Sequence, residues 1–412
     1  MYLEILTLGV IELSRVLFIN GGSEGHINPT IGVVQELISR GEEVVYFTIG
    51  DFRECMEKTG ATVRTFDGQK FIKAFISGGR TYLLERVNGL LLTADIVIPA
   101  VLEQIKGEKF DYIIHDSMFG CGRLLAQILQ LPAINSCTTF AETKLSFDHT
   151  IEQLSQHIPN AILEKINENY QTLIAKIKAT YNIDIYSPYE VFCNPAPLTI
   201  VYTTREFQPF GDNFDQTYKF VGPSIYPRNA QRNFDFTAIR NKNLIYISRG
   251  TVINQALEFY KLCLKAFANT PYTIVMSIGQ KTQLDKLGKI PPNFIVQDYV
   301  PQTKVLKNAK LFITHGGMNS TNESLYYGVP LIVIPQGADQ PIIAEQVAKI
   351  GAGIPLQMQT LTAQQLFKAA EHVIKESSFQ EAAANSSKTF QNSGGYHRAV
   401  DEIFKFKDQT TI

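Results

Sequence analysis

Two short stretches of the chain carry side chains suited to chemistry. The first is "GHINPT", Gly25 to Thr30, with one imidazole at His26. The second is "THGGMNSTNE", Thr314 to Glu323, which gathers His315, two glycines, Asn319, Ser320 and Glu323. A neutral imidazole is a common general base near neutral pH. Asn28 suits an N-cap and Pro29 a first helical residue, which places His26 in the loop just before a helix. The positive end of that helix dipole disfavours imidazolium, so His26 is expected to stay neutral. Asp116 closes the run "FDYIIHD" and could accept the other ring N–H of His26, fixing its tautomer and stabilising the cation once formed. Taken alone, His26 also reads as a surface or capping residue and Asp116 as a helix cap. His115 alternates to the other side of the strand and is assigned no role.

In the second stretch the glycines let backbone N–H groups approach a ligand without Cβ interference. Ser320 is expected to cap a helix starting at Thr321. Free N–H groups and the dipole at such a terminus favour an anion, most naturally phosphate. His315 could add a donor to a diphosphate, and Glu323 could accept from the hydroxyls of a ribose. Ser320-x-x-Glu323 also fits a capping box, in which Glu323 only bonds back to the helix start. The G-x-G-x-x-G and P-loop patterns are absent, which removes support for hydride transfer and for an ATPase.

The elements that must position these residues follow a β-α-β rhythm. "RVLFIN", "EEVVYFTIG", "FDYIIHDS", "LPAINSCTT" and "LTIVYTT" read as strands, with the helix "NPTIGVVQELISRG" after the first. The segment from Phe140 to Tyr189 reads as mostly helical. A stretch rich in Gly, Pro, Asn and Asp follows, after which "NLIYISRGT", "YTIVMSIG", "NFIVQDYV", "KLFITHGG" and "VPLIVIPQG" restart the rhythm. The fold class is α/β: two Rossmann-like, doubly wound parallel sheets facing across a cleft. The expected organisation is a first domain over 1–222, a linker over 223–236, a second domain over 237–395 and a final helical segment, 396–412, packing back on the first domain. In open parallel sheets ligands sit beyond the carboxyl ends of the strands, where both stretches lie.

Composition narrows the field. The chain has 412 residues, 45% hydrophobic and 19% charged, enough for substantial cores. A net charge of -1 gives no basic footprint for nucleic acid. Five scattered cysteines without a C-x-x-C pair read as reduced thiols, implying neither zinc nor disulfides. The start, "MYLEILTLGVIEL", has no basic n-region and is expected to precede the first true strand as an extension. No run reaches the roughly 18 apolar residues of a membrane helix. A cytoplasmic protein without membrane insertion, a monomer or weak oligomer, is expected.

"YVPQTKVL" and "HGGMNSTNESLYYGVPLIVIPQGADQ" resemble the donor-site signature of UDP-sugar-dependent glycosyltransferases of the GT-B fold, most nearly the bacterial macrolide and flavonoid glucosyltransferases. That pattern runs aromatic-x-Pro-Gln, His-x-Gly-x-Asn-Ser-x-x-Glu, Pro, then Asp-Gln. "GHINPT" and "FVGPS" extend the similarity over nearly the whole chain. The resemblance implies that His315, Gly317, Asn319 and Ser320 contact the diphosphate, with Ser248, Gly250 and Thr251 of "SRGT" completing the cradle. It implies that Glu323 holds the ribose, that Gln302 and the backbone at Val300 meet ribose and uracil, and that Asp339 and Gln340 bind hydroxyls of the hexose. His26 would be the base and Asp116 its orienting partner.

Two departures stand out. With no tryptophan in the chain, Tyr299 takes the place where plant relatives have one, leaving uracil and thymine less sharply separated. Arg249 stands where an apolar residue is usual. It could reach the phosphates or point to the other face of its sheet. No Asp-x-Asp and no metal-spacing cluster occur, so the resemblance implies no cofactor or metal and inversion at the anomeric carbon. The acceptor would be a hydroxyl on a macrolide, flavonoid or other apolar small molecule. Two further readings stay open: a lipid-acceptor transferase of the same fold, and a nucleotide-sugar-binding module without transferase activity.

Overall fold

The computed structural model describes residues 14–227, 234–250 and 256–410. The expected N-terminal extension and part of the linker lie outside them. The first half is a seven-stranded sheet of β1 (Arg15–Ile19), β2 (Glu43–Ile49), β3 (Thr62–Phe66), β4 (Tyr112–Asp116), β5 (Ala133–Cys137), β6 (Leu198–Val201) and β7 (Tyr218–Phe220). Its order is β3-β2-β1-β4-β5-β6-β7. The second half is a six-stranded sheet of β8 (Leu244–Ser248), β9 (Thr273–Ser277), β10 (Phe294–Gln297), β11 (Ala309–Thr314), β12 (Leu331–Val333) and β13 (Gly353–Pro355), in the order β10-β9-β8-β11-β12-β13. Every pairing is parallel.

The central strands read as unbroken apolar runs because helices cover both faces. In β1, Val16 and Phe18 enter one core while Leu17 and Ile19 enter the other. In β8, Leu244 and Tyr246 face one core while Ile245 and Ile247 face the other. The order reverses between β1 and β4 in the first sheet and between β8 and β11 in the second. Crevices at such reversals hold ligands, because the flanking helices there run off in opposite directions.

One helix stands out for its apolar length. Leu83–Gln104 is long and apolar enough to cross a bilayer, although Glu85, Arg86, Asp95 and Glu103 interrupt its run. Its Val87, Leu90, Leu91, Ala94, Val97, Ile98 and Val101 fill the core against β1, β2 and β4. Its apolar composition answers to that packing.

The last described helix packs on the first sheet. Helix Gly395–Thr410 places Ala399, Val400, Ile403 and Phe406 in the core shared with helix Glu24–Ser39. An ion pair fastens it. Lys407 binds Glu42, with side chains 8% and 4% exposed, and Tyr112 donates to the second Glu42 oxygen at 2.8 Å. Removing one partner of such a pair strands the other charge out of water. Lys407→Met is expected to cost about 3–5 kcal/mol in denaturant unfolding, and adding Glu42→Gln to return part of that loss.

Candidate active site

His26 does not precede its helix. The helix runs Glu24–Ser39 with Ser23 as N-cap, so His26 occupies the first turn and Pro29 lies inside. The "NP" pair looks like a helix start, but only one backbone bond is lost by admitting Pro29, the one its N–H would make to the Gly25 carbonyl. That carbonyl accepts instead from Asn319 Nδ2 at 2.9 Å, across the cleft. Asn20, just past β1, steadies the turn by donating to the His26 carbonyl at 3.1 Å and accepting from Gly22 N at 3.0 Å.

The structure brings His26 and Asp116 together at the β1/β4 reversal. Nδ1 of His26 lies 2.8 Å from Asp116 Oδ2 and 2.9 Å from Thr138 Oγ1. An ionised carboxylate only accepts, so Nδ1 carries the hydrogen and Nε2 holds the lone pair. The other Asp116 oxygen accepts from Met118 N at 2.8 Å. The expectation that the helix terminus keeps His26 neutral is corrected. Burial opposes its charge, but the Asp116 carboxylate, by charge and hydrogen bond, and Asp339 outweigh burial, and the pKa is raised above the ordinary 6.5. His115, on the opposite side of β4, is fully buried and pushed down to about 4 by that burial.

The facing edge is built on β8, β11 and β12. The helix after β11 spans Met318–Tyr326 with Gly317 as N-cap, so Ser320 is its third residue and not its cap. The first N–H groups of this helix have no carbonyl of their own and are free to bind an anion. The capping box is not formed. Gln302 Nε2 donates to Glu323 Oε2 at 2.7 Å and to Ser320 Oγ at 3.2 Å, while Gln302 Oε1 accepts from Tyr246 at 3.2 Å. Gln302 thereby ties the Glu323 carboxylate to the segment that follows Tyr299 and the buried Val300. A small pocket lies between the halves, with Asn28 and Tyr202 on one side and Asn319, Asn322 and Glu323 on the other.

His315 packs between Gly250 and Gly317. A Cβ at Gly250 would lie 2.5 Å from the ring, and its φ of +75 is one a side chain would strain. Burial and then the nearby Arg249 charge push the His315 pKa down to about 4, so the ring is neutral and offers one N–H. Ser248 ends β8 and accepts from Gly250 N at 3.3 Å. Thr251 lies outside the described residues. Asp339 and Gln340 follow β12, where Asp339 Oδ2 accepts from Thr139 Oγ1 at 2.9 Å. Burial raises the Asp339 carboxyl, against the pull of Thr139 and His26. Gln340 Oε1 accepts from Gln336 N at 2.7 Å. Arg249 points to the other face of its sheet, onto the Phe259 ring at 4.6 Å.

Sequence reasoning missed Thr138, Thr139 and Asn20. Their signal was position: Thr138 and Thr139 directly follow β5, and Asn20 directly follows β1, both at the ligand edge. Among the described residues no three His, Cys, Asp or Glu side chains gather as a metal site.

Two doubly wound sheets facing across such a cleft are the GT-B architecture, and comparison with known proteins agrees. Residues 261–392 match the family model "Erythromycin biosynthesis protein CIII-like, C-terminal domain". The chain is 36% identical over 403 residues to the uncharacterized UDP-glucosyltransferase YojK of Bacillus subtilis, covering 97% of this chain and 99% of that one. It is 31% identical over 403 residues to the NDP-glycosyltransferase YjiC of the same organism, covering 97% and 98%. The crystal structure of the glycotransferase of kitacinnamycin superposes with a TM-score of 0.83 at 25% identity, over 95% of this chain and 99% of that one. The chain belongs to the GT-B UDP-glycosyltransferase family and is a glycosyltransferase.

The His26 geometry sets a pH dependence. A base with a raised pKa loses its lone pair as pH falls through that raised value. The acid limb of kcat/KM is therefore expected above pH 6.5, the ordinary histidine value. Asp116→Asn should move that limb to lower pH and cut turnover, as read from pH–rate profiles of the two proteins.

Proposed function

We propose that the chain transfers glucose from UDP-glucose to a hydroxyl of an apolar small molecule, with inversion and without a metal ion. The observation that carries this reading is the His26–Asp116 pair set opposite the first turn of the helix at Met318. Nucleotide-sugar binding alone needs no such base. The acceptor O–H proton passes to Nε2 of His26 as its oxygen attacks the anomeric carbon. The bond from that carbon to the phosphate oxygen breaks, and its electron pair leaves with UDP. Attack opposite the leaving group converts an α-linked donor into a β-glycoside. Asp116 stabilises the imidazolium.

The charge growing on the diphosphate is met by the helix N–H groups at Met318–Ser320 and by the neutral His315. Glu323 and Gln302 would take the ribose, Tyr299 and the Val300 backbone the base, and Asp339 and Gln340 the hexose. An apolar acceptor is favoured by the partly exposed ring of Phe71, which clusters with the buried rings of Phe66 and Phe119 at centroid distances of 5.4 to 5.8 Å. A Cβ at Gly21, in the turn leading to His26, would lie 2.9 Å from Phe66 and closer still to Phe119, so only glycine fits there.

The test is incubation with UDP-glucose and a flavonol, with and without EDTA, followed by product analysis. A β-glucoside formed equally in both is expected. His26→Ala should lower turnover by roughly 10²- to 10⁴-fold while UDP-glucose still binds. Near-normal turnover in that variant would remove His26 as the base.

A further inference from the structure

Arg249 is a buried cation that the reaction as described does not use. It is 6% exposed, and among the described residues no carboxylate lies within ion-pair distance of it. Burial accordingly lowers its pKa. A charge held out of water needs a directed partner. The guanidinium lies over the Phe259 ring, and its Nη1 sits 4.0 Å from Met358 Sδ. Its Nε and Nη2 both donate to the side-chain oxygen of Gln336, with the amide turned as hydrogen bonding requires.

Gln336 opens the loop that ends in Asp339 and Gln340. Within it Ala338 has φ +56, a left-handed conformation that alanine takes only when its surroundings impose it. Something must therefore grip the loop at both ends. At one end Thr139 donates to Asp339, and Gln336 N donates to Gln340. At the other end the grip is the fork of Arg249. Arg249 itself sits between Ser248 and Gly250, and Gly250 packs against the His315 ring.

We propose that Arg249 is a positioning residue: through Gln336 it locks the 336–340 loop to the end of β8, so that the hexose-binding side chains keep register with the diphosphate cradle. It touches no substrate. This inference rests on the proposed donor site and assigns it a determinant of sugar recognition. The planar two-donor fork matters, because a lysine offers only a point charge on a flexible stem.

The experiment separates the two parts of the donor. Calorimetry with UDP reads the cradle, and calorimetry with UDP-glucose reads cradle and loop together. Arg249→Met and Gln336→Leu are each expected to weaken UDP-glucose binding about 10- to 100-fold and raise its KM, with UDP affinity held within about twofold. The double variant should be no weaker than either single one, since both break one link. Gln336→Glu, which keeps an oxygen for the guanidinium, should retain wild-type affinity for both ligands.

Gln336 is only half-buried, so its variants report even where Arg249→Met fails to fold. Unchanged UDP-glucose binding in Gln336→Leu, or an equal loss of UDP and UDP-glucose, would overturn the proposal. A wild-type chain that binds neither ligand would overturn the donor assignment itself, and this inference with it.

Discussion

The Asp116 carboxylate has almost no access to water, its side chain being 2% exposed. A buried charge is tolerated only where donors surround it. Its two oxygens are met by the His26 ring and by the backbone N–H of Met118, and nothing else on the first sheet explains the geometry at the β1/β4 reversal so directly. β1 must end where it does for the turn through Asn20 to return His26 over β4. The helix begins at Glu24, five residues earlier than "NP" suggests, and this brings the ring to the height of Asp116. Thr138 can reach the same nitrogen because β5 lies beside β4. The raised affinity of His26 for a proton is the chemical result of this arrangement.

The two halves are stitched together at the same place. Pro29 cannot donate to Gly25, and the carbonyl left free is taken by Asn319 from the other sheet. Thr139 reaches Asp339, and Asn322 exchanges bonds with Thr203 and the Tyr202 carbonyl. The Asn322 bonds are buried, whereas the Asn319 and Asp339 bonds lie nearer solvent, where a ligand or water can replace them. Apolar packing lies beside them, where Phe207 meets Phe140 and Phe390. The join therefore combines a greasy base with exchangeable contacts at the lips, which suits domains that close on a ligand.

The fold was legible because buried parallel strands write themselves as runs such as "RVLFI" and "LFIT". β3, β7 and β13 were not legible. They lie at sheet edges, and "TVRTF", "YKF" and "GIP" are short or half polar, as strands with only one neighbour can be. At the site, His26, Asp116 and the stretch from His315 to Glu323 could be picked out by residue type and by resemblance. Ser320 was misplaced as a cap because a Ser-x-x-Glu pattern cannot show that Gln302, eighteen positions earlier, claims both side chains. Thr138, Thr139 and the Arg249–Gln336 contact depend on distances between strands, which no local pattern records. Arg249 in particular was ambiguous until its side of β8 was fixed.

The backbone passes between the halves twice, once after β7 and once between helices Ser377–Asn392 and Gly395–Thr410. The two passages touch, for Gly395 N donates to the Val221 carbonyl at 2.7 Å. The last helix thus belongs to the first sheet's core while its chain neighbours belong to the second. Covalent continuity after β7 is then redundant for assembly. A polypeptide severed there would be held as a two-fragment complex by a helix that the second fragment lends to the core of the first.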